Sequence, residues 1–154
     1  MDTVTSATPL TTQEANKAAA LELIERGFNH GDLTVVDEQI APDGIDHQEA
    51  LGTEFISHLK EVILGLRTAF PDLKFEVHAI LAEGDIVAFR STMSGTHRGP
   101  LNMGPGRGLP ATGRTVSVPH MHFVRMAHGK ATDLWHLWDT PQMLRQLGVA
   151  REPR

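Results

Sequence analysis

SVPHMHFVRMAHGKATDLWHLWDT, residues 117–140, holds four of the chain's nine histidines and both of its tryptophans. A strand sends alternate side chains to opposite faces. From Thr115 to Met126 one face carries Val116, Val118, His120, His122 and Val124, and the other Ser117, Pro119, Met121, Phe123 and Arg125. After the turn at Ala127–Gly129 a second strand runs from Lys130 to Asp139, with Leu134, His136 and Trp138 on one face and Asp133, Trp135 and Leu137 on the other. Counting back from the turn sets His122 beside His136. Pro119 cuts against regular pairing, because a proline inside a strand implies an edge or a bulge.

Upstream of this hairpin the pattern changes from strand to helix. TTQE reads as a capping box, with Thr11 as N-cap and Glu14 three residues on. Ala20, Leu23, Ile24, Gly27 and Phe28 make one helical face that ends at Gly31. Asp32 caps a short second helix through Ile40, closed by Pro42, and residues 44–52 read as a short extended or looping segment. Thr53 caps a third helix with Phe55, Leu59, Val62, Ile63, Leu66 and Phe70 in its stripe, and Pro71 stops it. Leu73, Phe75, Val77, Ala79 and Leu81 then alternate as a half-buried strand, followed by a strand from Ile86 to His97. Residues 98–114 are dense in Gly and Pro and read as a flexible lid or connection; no GKS or GKT follows to make them a phosphate loop. Residues 140–148 close the chain with a helical turn capped by Asp139 or Thr140. The order predicts an α+β fold, with three N-terminal helices packed on a curved antiparallel sheet. Residues 1–10 are expected to be a flexible tail, and residues 11–150 one domain.

Composition narrows the function. The chain has 154 residues, no cysteine and no tyrosine, and a formal net charge of −5. The charge argues against nucleic-acid binding, which needs a basic patch. Without cysteine there is no disulfide, thiolate nucleophile or Cys-ligated metal, which fits a cytoplasmic protein. The N-terminus lacks the basic and apolar regions of a signal peptide, and no stretch approaches a membrane span.

Three imidazoles on a valine-rich face allow three readings. They are core residues, each satisfied by a neighbour. Or His-x-His with a histidine from the next strand is a zinc triad, oriented by Asp46 or Asp139. Or they perform metal-free acid–base chemistry, with an apolar wall keeping imidazole neutral.

Several phrases, in order, resemble the SnoaL-like polyketide cyclases of the nuclear transport factor 2 and ketosteroid isomerase superfamily. They are FNHGDLTVVDEQIAPDGIDH (28–47), LRTAFPDLKFEV (66–77), AEGDIVAFRSTMSGTHRG (82–99), LPATGRTV (109–116), and HGKATDLWHLWDT (128–140) with LRQLG (144–148). The resemblance implies a cone-shaped α+β barrel and cofactor-independent ring closure by an intramolecular aldol reaction. The family's acid–base carboxylate falls on His136, a departure from the pattern, and polar pocket positions fall on His120, His122 and Asp46, with His47 beside it. Arg90 matches a family arginine, and Asp139 a family aspartate that a helix cap also explains. On this reading His136, relayed through His122, takes a proton alpha to a carbonyl. His120 or His47 stabilises the enolate, and Asp46, His47, Arg90, Leu134 and Trp138 contact an apolar substrate. No metal or other cofactor is implied.

The steroid isomerase mechanism needs a tyrosine that this chain lacks. A water-activating, epoxide-hydrolase-like cluster of Asp46, Arg90 and Asp139 stays open, as does a non-catalytic receptor for apolar molecules. Trp135 and Leu137 are expected to pack between subunits of a homodimer or higher oligomer. His30, His58, His78 and His128 read as solvated, and His97 as bordering the pocket.

Overall fold

The computed structural model describes residues 11–149. The expected tail and residue 150 lie outside them. The capping box is present: Thr11 Oγ1 accepts the Glu14 N–H at 3.2 Å and Glu14 Oε2 accepts the Thr11 N–H at 3.3 Å. It opens α1 (Thr12–Glu22), which widens into a π-helical segment over Leu23–Asn29. There Asn29 takes both backbone groups of Phe75, accepting its N–H at 2.7 Å and donating to its C=O at 3.0 Å. Asp32 accepts the Thr34 N–H ahead of α2 (Thr34–Gln39).

Ile40–Asp46 is then a strand, β1, where a helix end and, from Gly44, an extended or looping segment were expected. It is an edge strand, so Pro42 withdraws no N–H from an interior ladder. The third helix, α3 (Phe55–Ala69), starts after Glu54 and not at a Thr53 cap, and buries Phe55, Leu59, Ile63 and Leu66 as its stripe predicts. The remaining strands are β2 (Lys74–Glu83), β3 (Ile86–Thr96), β4 (Thr115–Ala127) and β5 (Lys130–Trp138), followed by α4 (Thr140–Gln146). Asp139 caps α4 by accepting the Gln142 N–H at 3.0 Å.

The sheet order is β1-β5-β4-β3-β2. β1 runs parallel to β5, so the sheet is mixed, not wholly antiparallel as expected. A bulge at His78, between the pairs Val77↔Ser91 and Ala79↔Arg90, flips the later half of β2. Ile80 and Ala82 therefore pack against the core, and Leu81 is 71% exposed, reversing the expected alternation. Pro119 causes no bulge: β3–β4 pairing is unbroken from Ile86↔Arg125 to Thr96↔Thr115. Its missing N–H would face Asp139, just past the end of β5, where only its carbonyl is used, by the Asp139 N–H.

Residues 98–114 form a tied hairpin, not a loose lid. His97 and its partners Gly113 and Arg114 close the base, and Leu101 bonds Gly108 and Leu109 farther out. Arg98 and Gly99 both donate to Ala69 O at the end of α3. Gly99 is required there, since a Cβ would lie 2.1 Å from Thr68 O.

Candidate active site

The inner face of the sheet and the helices enclose a cavity of about 670 Å³, within the usual range for small-molecule sites. Leu23, Ile24 and Phe28 of the π-helical segment, Phe55 and Leu59 of α3, and Phe75 and Phe89 of the sheet make its apolar walls. Helix widening of this kind commonly marks functional sites; here it delivers three wall residues from one short segment.

Register brings the polar groups in. His122 pairs directly with His136, and His120 with Trp138, as counted from the turn. All four line the cavity, with Leu134. His120, His122 and His136 form a row of near-parallel rings, with centroids 5.6 and 5.9 Å apart. Phe89 stacks on His122 at 4.4 Å, and the edge contact of Phe75 on His120 is 5.2 Å. Rings stacked side by side do not converge on one point, so they do not make the three-histidine zinc site. Nor do His122 and His136 share a hydrogen bond, so the expected relay through His122 is not formed.

His136 turns instead to Asp46 at the end of β1, with Nε2 at 3.1 and 3.2 Å from the two carboxylate oxygens. A carboxylate only accepts, so Nε2 carries a hydrogen, and in the neutral ring the lone pair is on Nδ1. Burial pushes the Asp46 carboxyl up; the His136 hydrogen bond, the Gln48 N–H and the charges of His136 and His58 outweigh this and hold it below the usual carboxylate range. The Gln48 side chain fixes β5 in turn, accepting the His136 backbone N–H at 2.7 Å.

His120 and His122 meet the opposite environment. Burial, then the charges of neighbouring imidazoles, pushes both down to about 3, so both are neutral at physiological pH. His120 Nε2 and His122 Nδ1 are buried without a partner. A sealed lone pair is more readily tolerated than a sealed N–H, so the hydrogens belong on His120 Nδ1 and His122 Nε2. Each ring thus offers a donor on its unsealed side.

Glu49, which the sequence reading passed over, and His58, which it read as solvated, also line the cavity and pair at 3.1 Å. His58 flanks the Phe55–Leu59–Val62 stripe of α3, and that position was the available signal; Glu49 lies in a turn and gave none. Asp46, Glu49 and His136 have ligand atoms within 4.8 Å of one another, the one group among the described residues with metal-like spacing. Both carboxylates already have an imidazole partner, Asp46 in His136 and Glu49 in His58.

Two expected contacts fall elsewhere. Arg90 is exposed on the outer face, opposite Met121, because its neighbours Phe89 and Ser91 take the inward positions. His47 also faces outward, stacked on Trp135 at 4.5 Å and bonded to Asp133 at 2.9 Å, since it alternates with the inward Asp46. Asp46, Arg90 and Asp139 therefore do not meet as a water-activating cluster. His97 is fully buried at the hairpin base, bonded to Thr112 and packed on Phe70, and lines no part of the cavity.

No curated protein matches the chain by sequence. Among solved structures it is similar to TsrD from Streptomyces laurentii, at 25% identity over 92% of this chain and 100% of that one, with a TM-score of 0.75. IdmH from Streptomyces antibioticus, described as a candidate polyketide cyclase, is 31% identical over 87% of this chain and 99% of its own, with a TM-score of 0.70. AclR from Streptomyces galilaeus, described as a candidate hydroxylase, is 27% identical over 92% and 89%, with a TM-score of 0.75. The family model for SnoaL-like polyketide cyclases matches residues 18–147. The cavity, the cone of curved sheet and this match over most of the sequence lead to one assignment: the chain belongs to the SnoaL-like polyketide cyclase family.

Proposed function

We propose that this protein is a cofactor-independent enzyme that enolises an apolar carbonyl substrate and closes or isomerises it. Family membership supports a cyclase or isomerase type of activity. The observation that carries the finer reading is the Asp46–His136 pair opening on an apolar cavity beside two neutral imidazoles. His136 Nδ1 takes the proton alpha to the carbonyl, and Asp46 stabilises the resulting imidazolium. His120 and His122 donate hydrogen bonds to the enolate oxygen, where preorganised donors in a dry site are most effective. The enolate carbon then attacks a second carbonyl of the same molecule. The new alkoxide recovers the proton from His136, so the step balances without an external reagent. Leu134 and Trp138 hold the apolar body of the substrate.

The test is exchange of the α-hydrogens of 2-tetralone in D₂O, followed by proton NMR. Exchange well above the buffer rate is expected. Binding of the ketone with exchange at the buffer rate would leave a receptor for apolar ligands and overturn the enzyme.

We also propose that the outer face of the sheet pairs with a second copy of the chain, in the cytoplasm. Phe123 and Met121 are 54% and 51% exposed and Leu137 is 72%, with Leu81 and Trp135 alongside. An exposed apolar patch of this kind marks an interface, and Arg125 and Asp133 at its border pair with each other at 3.7 Å, so that border sets no unpaired charge against a second copy. Sedimentation should give twice 16.9 kDa, and Leu137→Arg should give a folded monomer. A monomeric wild type would refute the pairing.

A further inference from the structure

The hairpin over 98–114 closes one end of the cavity, and its attachments make it a fixed wall. Leu101 is 1% exposed in the core. Gly106 fits against Leu101, where a Cβ would come within 2.6 Å of Leu101 Cδ2. Gly104 lies against Trp138, with its Cβ position 4.0 Å from the indole. Met103 projects from this wall onto α3 and seats its sulfur over Gly65, where a Cβ would lie 2.7 Å from Sδ. The glycine is the notch that lets the thioether lie across the cavity end, and both residues line the cavity.

We propose that Met103 is the specificity-determining stop of this site, limiting the length of the apolar carbonyl compound that it accepts; this rests on the cavity being the substrate site. α3 supplies the scale. His58 beside the Asp46–Glu49 end and Gly65 under Met103 are seven residues apart on the helix, a rise of roughly 10 Å. A ketone with its carbonyl at His136 therefore has about that distance before its apolar tail meets the methionine. Methionine is unbranched and polarizable, suited to filling the end of an irregular apolar space.

The experiment is calorimetric binding of a homologous series of 2-alkanones, from 2-hexanone to 2-dodecanone, to wild type, Met103→Ala and Met103→Trp. In the wild type affinity should climb with each methylene and then break. Alanine removes three heavy atoms, so the break should move about three carbons longer, with about tenfold tighter binding of the first ketone that the wild type rejects. Tryptophan should move it shorter. Each variant tests the stop independently if the other fails to fold. An identical break in all three proteins would overturn the role of Met103 while leaving the cavity as the site. Failure of the wild type to bind any member would refute the cavity itself as the substrate site, and the stop with it.

Discussion

His136→Gln is expected to slow α-hydrogen exchange of 2-tetralone by on the order of a thousandfold, the usual range for a positioned acid–base group, with ketone affinity nearly unchanged. Glutamine is the informative substitution. Its amide nitrogen stands where Nε2 stood and can still donate to the Asp46 carboxylate, whose side chain is only 8% exposed, but it offers no basic lone pair. Alanine would remove the base and also leave a buried carboxylate unpaired, mixing chemistry with instability. Asp46→Asn should cost nearly as much as losing the base, for a different reason. Its amide would donate to His136 Nε2, moving the ring hydrogen to Nδ1 and blocking the atom that accepts the proton. If exchange by His136→Gln matches the wild type, His136 is not the base.

Acidification from pH 7.5 to 5 should destabilise the fold by about 2 kcal/mol for each of His120 and His122. In the unfolded chain each imidazole titrates near 6.5, whereas burial holds the folded values at about 3. Between these limits the unfolded chain binds protons that the native cavity refuses, so stability falls as pH drops through that window and is fully present above it. The urea midpoint should follow this slope. His122→Phe, which keeps a flat ring against Phe89, should remove its own share of about 2 kcal/mol and leave the shares of His120 and of the buried His97, whose imidazole burial also holds below its ordinary value. A midpoint independent of pH from 7.5 to 5 would mean that both rings accept protons in the native state. Asp46 adds a separate loss at still lower pH, since its carboxyl is held below the ordinary range.

The hairpin at 117–140 was readable because two constraints agree there: a tight turn fixes the register, and a valine row fixes the inward face. Together they place His122 opposite His136, where the pairing of β4 with β5 has it. Where one constraint was missing the reading slipped. IAPDGID carries Pro42 and Gly44 and has no alternation, so it reads as a helix end followed by an extended or looping segment; its pairing with β5, almost ninety residues away, makes it a strand. The bulge at His78 leaves no mark in local composition, yet it inverts the faces of everything after it in β2. The π-helical segment keeps its apolar residues close to ordinary helical spacing, so its widening was invisible. Asp46 was found and its partner role with His136 was not, because that contact joins β1 to β5. Glu49 gives no sign of its role, and His58 reads as solvated, on the same ground: the pair forms between a turn and a helix.

The two tryptophans of that hairpin differ by three positions in a period-two strand, and so lie on opposite sides of the sheet. Trp138 borders the cavity, 5.2 Å from the ring of His120. Trp135 is outside, sandwiched between His47 at 4.5 Å and the Arg125 guanidinium at 5.4 Å. The molecule therefore carries two separable optical reporters. Trp135→Phe leaves an emitter that responds to what enters the cone, and Trp138→Phe leaves one that responds to what covers its outer surface, so occupancy and assembly can be followed in the same sample by light alone.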